Sequence, residues 1–170
     1  DSPTQPTNQL IPIMCKIAII TQHNPDQLQQ LVLSLWSAMA STERDGYGAA
    51  WVQPNGRIGF VKSSNPRGVT PLPDFFKSFC AGQWSKSDGG AMLVHGRTAT
   101  CGVNAENTHP MLLGDSALVH NGVVTSKKYH NTESTCDSEL LLHAFRQGGI
   151  DEVAKEVSGY YAFGIITARK

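Results

Sequence analysis

An α+β fold built on antiparallel sheets is the architecture this sequence predicts, and three observations carry it. Short runs rich in β-branched and apolar residues come in neighbouring pairs joined by turn residues. Helical stretches interrupt these runs without the regular β-α-β alternation that a parallel sheet demands. The chain of 170 residues is long enough for one domain with a sizeable core and too short for two ordinary ones.

Taken in order, Cys15 to Ile20 reads as a short buried strand. Asn24-Pro25-Asp26 opens a helix whose apolar stripe is Leu28, Leu31, Val32, Leu35, Trp36 and Met39. Tyr47 to Val52 and Arg57 to Lys62 flank Gln53-Pro54-Asn55-Gly56, a hairpin turn signal. Phe75 to Cys80 suits a short helix, and Ala91 to His95 is a strand running into Gly96-Arg97-Thr98-Ala99-Thr100. Leu112-Leu113 and Ala117 to Val119 form a hairpin ending at His120-Asn121-Gly122, with a polar loop over 125–136. Asp137 caps a helix through Gln147, supported by Leu140, Leu141 and Phe145, and a last strand covers Tyr160 to Thr167.

Composition excludes several function classes. Fourteen basic residues balance fourteen acidic ones, so no net field favours nucleic acid or an anionic membrane surface. The longest apolar stretch, Leu10 to Ile20, is broken by Pro12 and Lys16 and cannot span a bilayer. The expectation is a soluble chain in a reducing, cytoplasmic compartment. Cys15, Cys80, Cys101 and Cys136 form no C-x-x-C pair and no dense disulfide framework, and the six histidines fall in no zinc-binding spacing. No metal and no cofactor is expected. Residues 1–13 are rich in Pro, Thr and Gln and read as a leader or propeptide-like extension ahead of a domain over 14–170.

Several polar residues sit where strands end, which is where sites are built. Cys15 is either a buried cysteine acting as a small hydrophobe or a nucleophile whose base is its own α-amine, once that amine is free. Arg97 is either a surface ion-pair partner or a planar fork holding a carboxylate. Asn121-Gly122 is a frequent turn dipeptide, and equally a pair of N–H donors for an oxyanion. Asp137 needs no role beyond capping its helix.

Their order is more informative than any one of them. Met14-Cys15, Arg44-Asp45-Gly46-Tyr47-Gly48, His95-Gly96-Arg97-Thr98-Ala99-Thr100, Asn107-Thr108-His109-Pro110, Val119-His120-Asn121-Gly122 and Thr135-Cys136-Asp137-Ser138-Glu139 resemble the ordered motifs of class II glutamine amidotransferases. These belong to the N-terminal-nucleophile hydrolases. Gly159 to Ile166 is similar to the strand that follows the family's acidic motif, and Asn-Thr-His-Pro is similar to its small stand-alone branch.

The resemblance implies a four-layer αββα sandwich. It implies that Cys15 attacks the side-chain amide of L-glutamine, with Asn121 and Gly122 as the oxyanion hole. Arg97 would clamp the substrate α-carboxylate, Asp137 would receive the α-ammonium, and Thr100 would line the pocket. Fourteen residues precede Cys15, so an active form has to lose them. An acceptor-processing partner chain is a further expectation. The alternatives are a non-catalytic structural or assembly module of a larger particle that keeps the fold, another N-terminal-nucleophile amidase, and a Cys-His protease.

Overall fold

Side chains on a strand alternate between the two faces of its sheet, and here that alternation sorts the buried residues into three layers. The computed structural model describes residues 15–21, 25–39, 44–53, 55–64, 91–99, 102–130 and 134–168. Its elements are β1 (Lys16–Thr21), α1 (Pro25–Met39), β2 (Gly46–Val52), β3 (Ile58–Ser64), β4 (Ala91–Arg97), β5 (Met111–Leu113), β6 (Ser116–Ser126), α2 (Ser138–Glu156) and β7 (Val157–Thr167). One sheet has the strand order β1-β4-β2-β3 and the other β5-β6-β7, and the strands pair antiparallel throughout.

On one face of the larger sheet, Met92 and Val94 of β4 join Tyr47, Ala49 and Trp51 of β2 against Val32 and Met39 of α1. The residue between them, Leu93, points the other way and meets Ala117, Val119 and Ile166 of the smaller sheet. Leu118 of β6, flanked by the inward Ala117 and Val119, faces Leu141, Leu142 and Ala144 of α2. The stacking is therefore helix, sheet, sheet, helix: the αββα sandwich.

Local signals explain most boundaries. At the β2–β3 turn, Gly56 N–H donates to the Gln53 carbonyl and Arg57 N–H to Asn55 Oδ1. The α1 stripe is narrower than the sequence suggests. Val32 and Met39 are buried and Leu35 is half-buried, whereas Leu31 is exposed; Leu28 and Trp36 have side chains outside the described residues. The helical run from Asp137 is interrupted after Gln147 as expected, at Gly148 (φ −156°, ψ 22°) and Gly149 (φ 69°, ψ −154°), and a further helical stretch continues to Glu156. The expected helix over Phe75 to Cys80 and the leader over 1–13 lie outside the described residues.

Three expectations need correction. Asn121-Gly122 is no turn, and 125–136 is not loop from its start. β6 runs on to Ser126 because β7 pairs with it along its whole length, from Ser116↔Thr167 to Ser126↔Val157. β7 accordingly begins at Val157 rather than Tyr160. Gly122 permits this continuation: its φ is 145°, and a Cβ there would overlap the Tyr160 carbonyl oxygen of the paired strand.

Gly48 matters for the site itself. A side chain on it would collide with the His109 carbonyl and with Pro110, so only glycine lets the 108–110 segment lie on β2. That close approach brings His109 between the sheets.

Candidate active site

Cys15 stands immediately before β1, whose register pairs Lys16 with Gly96 and Ile17 with His95. One step further along the same antiparallel register sets Cys15 opposite Arg97. Both belong to the alternating set that includes Ile17 and Leu93, which faces the second sheet. The Cys15 thiol is half-buried; it donates to the Thr98 carbonyl at 3.1 Å, and Thr98 N–H donates back to Sγ at 3.4 Å. Asp45 holds this strand end in place. Its carboxylate accepts from Ala99 N–H at 2.7 Å, and its own N–H donates to the Arg97 carbonyl at 3.1 Å.

Arg97 is only 2% exposed, which removes the surface ion-pair reading. Its Nη2 donates to the Gly102 carbonyl at 2.9 Å. The same carbonyl accepts from Asn107 Nδ2 at 3.2 Å, and that amide also donates to Thr135 Oγ1 at 2.8 Å. Arg97 is thus tied, through Gly102 and Asn107, to the segment that carries Asp137. Asn104 shapes the intervening loop by accepting from Asn107 N–H and from the Thr108 hydroxyl, and Lys62 Nζ donates to the Thr108 carbonyl at 2.9 Å.

Asn121 lies on β6 in the same alternating set as Ala117 and Val119, which face the larger sheet. The His120 carbonyl before it accepts from His95 Nε2 at 3.2 Å. Since His95 precedes Arg97 by two residues, Asn121 and Gly122 lie at the end of the inter-sheet space where Cys15 and Arg97 sit. Asp137 occupies the N-cap position of α2, yet its carboxylate makes no capping bond to its own helix. Capping therefore does not account for it. Oδ2 instead accepts from Val124 N–H at 2.7 Å, two residues beyond Gly122. Asp137 also lines a cavity of about 310 Å³ together with Thr125, Ser126, Tyr129, His130 and Thr135. Of the expected site residues that are described, it alone lines that cavity. Thr100 lies outside the described residues.

Sequence reasoning missed a buried polar cluster behind these residues. Ser138 Oγ is 2.8 Å from both His109 Nε2 and His120 Nδ1, and 3.3 Å from Cys136 Sγ. The His95 and His109 rings lie 4.3 Å apart between centroids. His95 Nδ1, His109 Nδ1 and His120 Nε2 are buried with no hydrogen bond among the described residues. The only sequence signal was three histidines in three separate motifs, a weak one because their sequence separations have no common period. Among the described residues no group of three or more His, Cys, Asp and Glu side chains is arranged to hold a metal ion. Among the same residues no helix is long and apolar enough to cross a membrane.

Burial keeps this cluster neutral. It pushes His95 down to about 3 and His109 well below the usual histidine value; His120 is also lowered, by burial, with the Asp137 charge opposing. Because the folded pKa lies below the unfolded one, near 6.5, the unfolded chain binds more protons as pH falls through that interval. Their contribution to stability is complete above about pH 6.5 and is lost progressively toward the folded values. Urea unfolding free energies should therefore fall between about pH 7 and pH 5.5, where ordinary carboxylates remain ionised. A flat profile over that window would show that these rings are not neutral in the fold.

No protein-family model matches the sequence. Among curated proteins it is similar to glutamine–fructose-6-phosphate aminotransferase (isomerizing) of Zymomonas mobilis subsp. mobilis, 32% identical over 93 residues, covering 44% of this chain and 15% of that protein. The enzyme of the same name from Acinetobacter baylyi is 32% identical over 102 residues, covering 48% of this chain and 16% of its own length. The chain thus spans a small part of these relatives. Among solved structures, a glutamine phosphoribosylpyrophosphate amidotransferase from B. subtilis complexed with ADP and GMP superposes with a TM-score of 0.59 at 22% identity. An allosteric regulatory enzyme of purine biosynthesis superposes with a TM-score of 0.63 at 21% identity. Each covers 91% of this chain, and the match covers 35% of each of those chains. With its αββα sandwich, its ordered motifs and these relatives, the chain resembles the class II glutamine amidotransferase-type domains of the N-terminal-nucleophile hydrolase superfamily.

Proposed function

We propose that this domain hydrolyses the side-chain amide of L-glutamine through a thioester on Cys15. The observation that carries the reading is the gathering of Cys15, Arg97 and the Asn121-Gly122 segment at one end of the space between the sheets. The hydrogen-bonded tie from Arg97 to the Asp137 segment adds to it.

The chemistry follows from those groups. The α-amine of Cys15, free once residues 1–14 are removed, has a pKa near 8 and takes the thiol proton. Sulfur attacks the amide carbon; the C–S bond forms, and the oxyanion is met by the Asn121 side-chain N–H and the Gly122 backbone N–H. Collapse breaks the C–N bond, and ammonia leaves with the proton that the α-amine returns. Water then attacks the thioester, releasing glutamate and restoring the thiol. Arg97 takes the substrate α-carboxylate in a bidentate grip, Asp137 takes the α-ammonium, and Thr100 lines the same pocket. In the unprocessed chain the Cys15 nitrogen is an amide, whose lone pair is delocalised, and it cannot serve as base. Residues 1–14 therefore hold the domain as an inactive precursor. The ammonia passes to an acceptor-processing partner.

The test is a glutamine assay of the form in which Cys15 is the first residue. Glutamate and ammonia should appear in equal amounts, and the uncleaved chain should release neither. An inactive but folded Cys15-terminal form would overturn the reading in favour of a non-catalytic assembly role.

A further inference from the structure

The polar cluster under the site has an arrangement that packing alone does not explain. A serine hydroxyl has one proton and two lone pairs, so three partners fill its capacity. Ser138 has three: His109 Nε2, His120 Nδ1 and Cys136 Sγ. Ser138, His95, His109 and His120 are all buried, and three ring nitrogens of the cluster stay unpartnered among the described residues. Three apolar side chains would avoid that desolvation cost. The chain accepts it at one place, directly behind the proposed site. His95 is two residues before Arg97, His120 immediately precedes Asn121, and Ser138 immediately follows Asp137.

The connections run between elements rather than within them. His120 is held at both ends: its ring by Ser138 on α2, and its carbonyl by His95 Nε2 on β4. That carbonyl belongs to the peptide group whose N–H is that of Asn121, so its hydrogen bond sets the plane from which Asn121 projects. Four residues along β6, Val124 N–H donates to Asp137 Oδ2, a second tie between β6 and the start of α2. The two ties bracket Asn121 and Gly122.

We infer that Ser138 is a positioning residue for the reaction: by joining His109 and His120 through its hydroxyl, it holds the Asn121-Gly122 segment in register with Asp137 and Arg97. The inference rests on the glutamine-hydrolysis reading and deepens it. Ser138 touches no substrate; it acts through His120.

The hydroxyl has a single proton to donate, so at least one of the two rings carries its proton on the nitrogen facing Ser138. On this inference each ring holds one neutral tautomer. Nitrogen-15 spectra of the histidine rings in the unaltered full chain should show His109 and His120 each as one tautomer near neutral pH. In Ser138→Ala both rings should shift toward tautomer mixtures while His95, held by the His120 carbonyl, stays protonated on Nε2. In the form beginning at Cys15, Ser138→Ala should lower kcat for glutamine by about 10- to 100-fold, the scale of a small misplacement of catalytic groups. KM should stay within about threefold, since the loss falls on the transition state. Mixed tautomers of His109 and His120 in the unaltered chain would overturn the inference, and that measurement does not depend on the variant folding. So would unchanged kcat in a folded Ser138→Ala that merely melts earlier. An inactive Cys15-terminal parent would instead overturn the glutamine reading.

Discussion

Cys15→Ala, in the form that begins at residue 15, should release no glutamate above the uncatalysed background while keeping the far-UV spectrum and melting behaviour of the parent. Alanine removes the atom that forms the thioester, and no binding group can replace a covalent intermediate. The variant should still bind glutamine, because the proposed contacts to its carboxylate and ammonium belong to Arg97 and Asp137. Structural cost should be small. The side chain is half-buried at a strand start, and it exchanges hydrogen bonds with the backbone of Thr98, on a segment independently held by Asp45. Glutamate release, unfolding temperature and glutamine binding measured on one pair of proteins separate these effects. Equal turnover in Cys15→Ala and the parent would rule out the thioester route.

Asn121→Ala should lower kcat by roughly 100- to 1000-fold, the usual loss for one oxyanion donor, with a smaller change in KM. The donor acts on charge that develops only in the transition state, so its removal falls on kcat. Arg97→Lys provides the contrast within the same experiment. A lysine keeps the charge but not the planar fork, and so should act mainly on KM. The Arg97 guanidinium is also tied to the Gly102 carbonyl. The melting temperature of Arg97→Lys therefore has to be followed beside its kinetics. An Asn121→Ala variant with parental kcat would remove Asn121 from the oxyanion site.

Much of the fold was legible because its signals are local. The Gln53–Gly56 turn, the β-branched run of β1, and the Gly148-Gly149 interruption after Gln147 depend on neighbours a few residues apart. Antiparallel pairing of β2 with β3 and of β5 with β6 followed from adjacent strands with short connections. The end of β6 was not legible. Asn-Gly is a turn signal in isolation, but β7, some forty residues away in the chain, supplies a full ladder of backbone partners that keeps Asn121 and Gly122 extended. Tertiary pairing overrode local propensity there.

The site divides in the same way. The order of the motifs, through the resemblance it carries, named Cys15, Arg97, Asn121, Gly122 and Asp137, where each residue type taken singly left a bland alternative open. What the sequence by itself determined was the strand periodicity and, as candidates, this set of groups. Only the tertiary structure decided which way Asp137 turns, toward Val124 rather than its own helix, and that Asp45 pins the strand end beside Cys15. It also decided that Gly48 admits the 108–110 segment, and that His95, His109 and His120 meet Ser138 in the core. Those features are contacts between residues far apart in the chain, formed only when two sheets and a helix end close on one another, and no local pattern of residues encodes such a meeting.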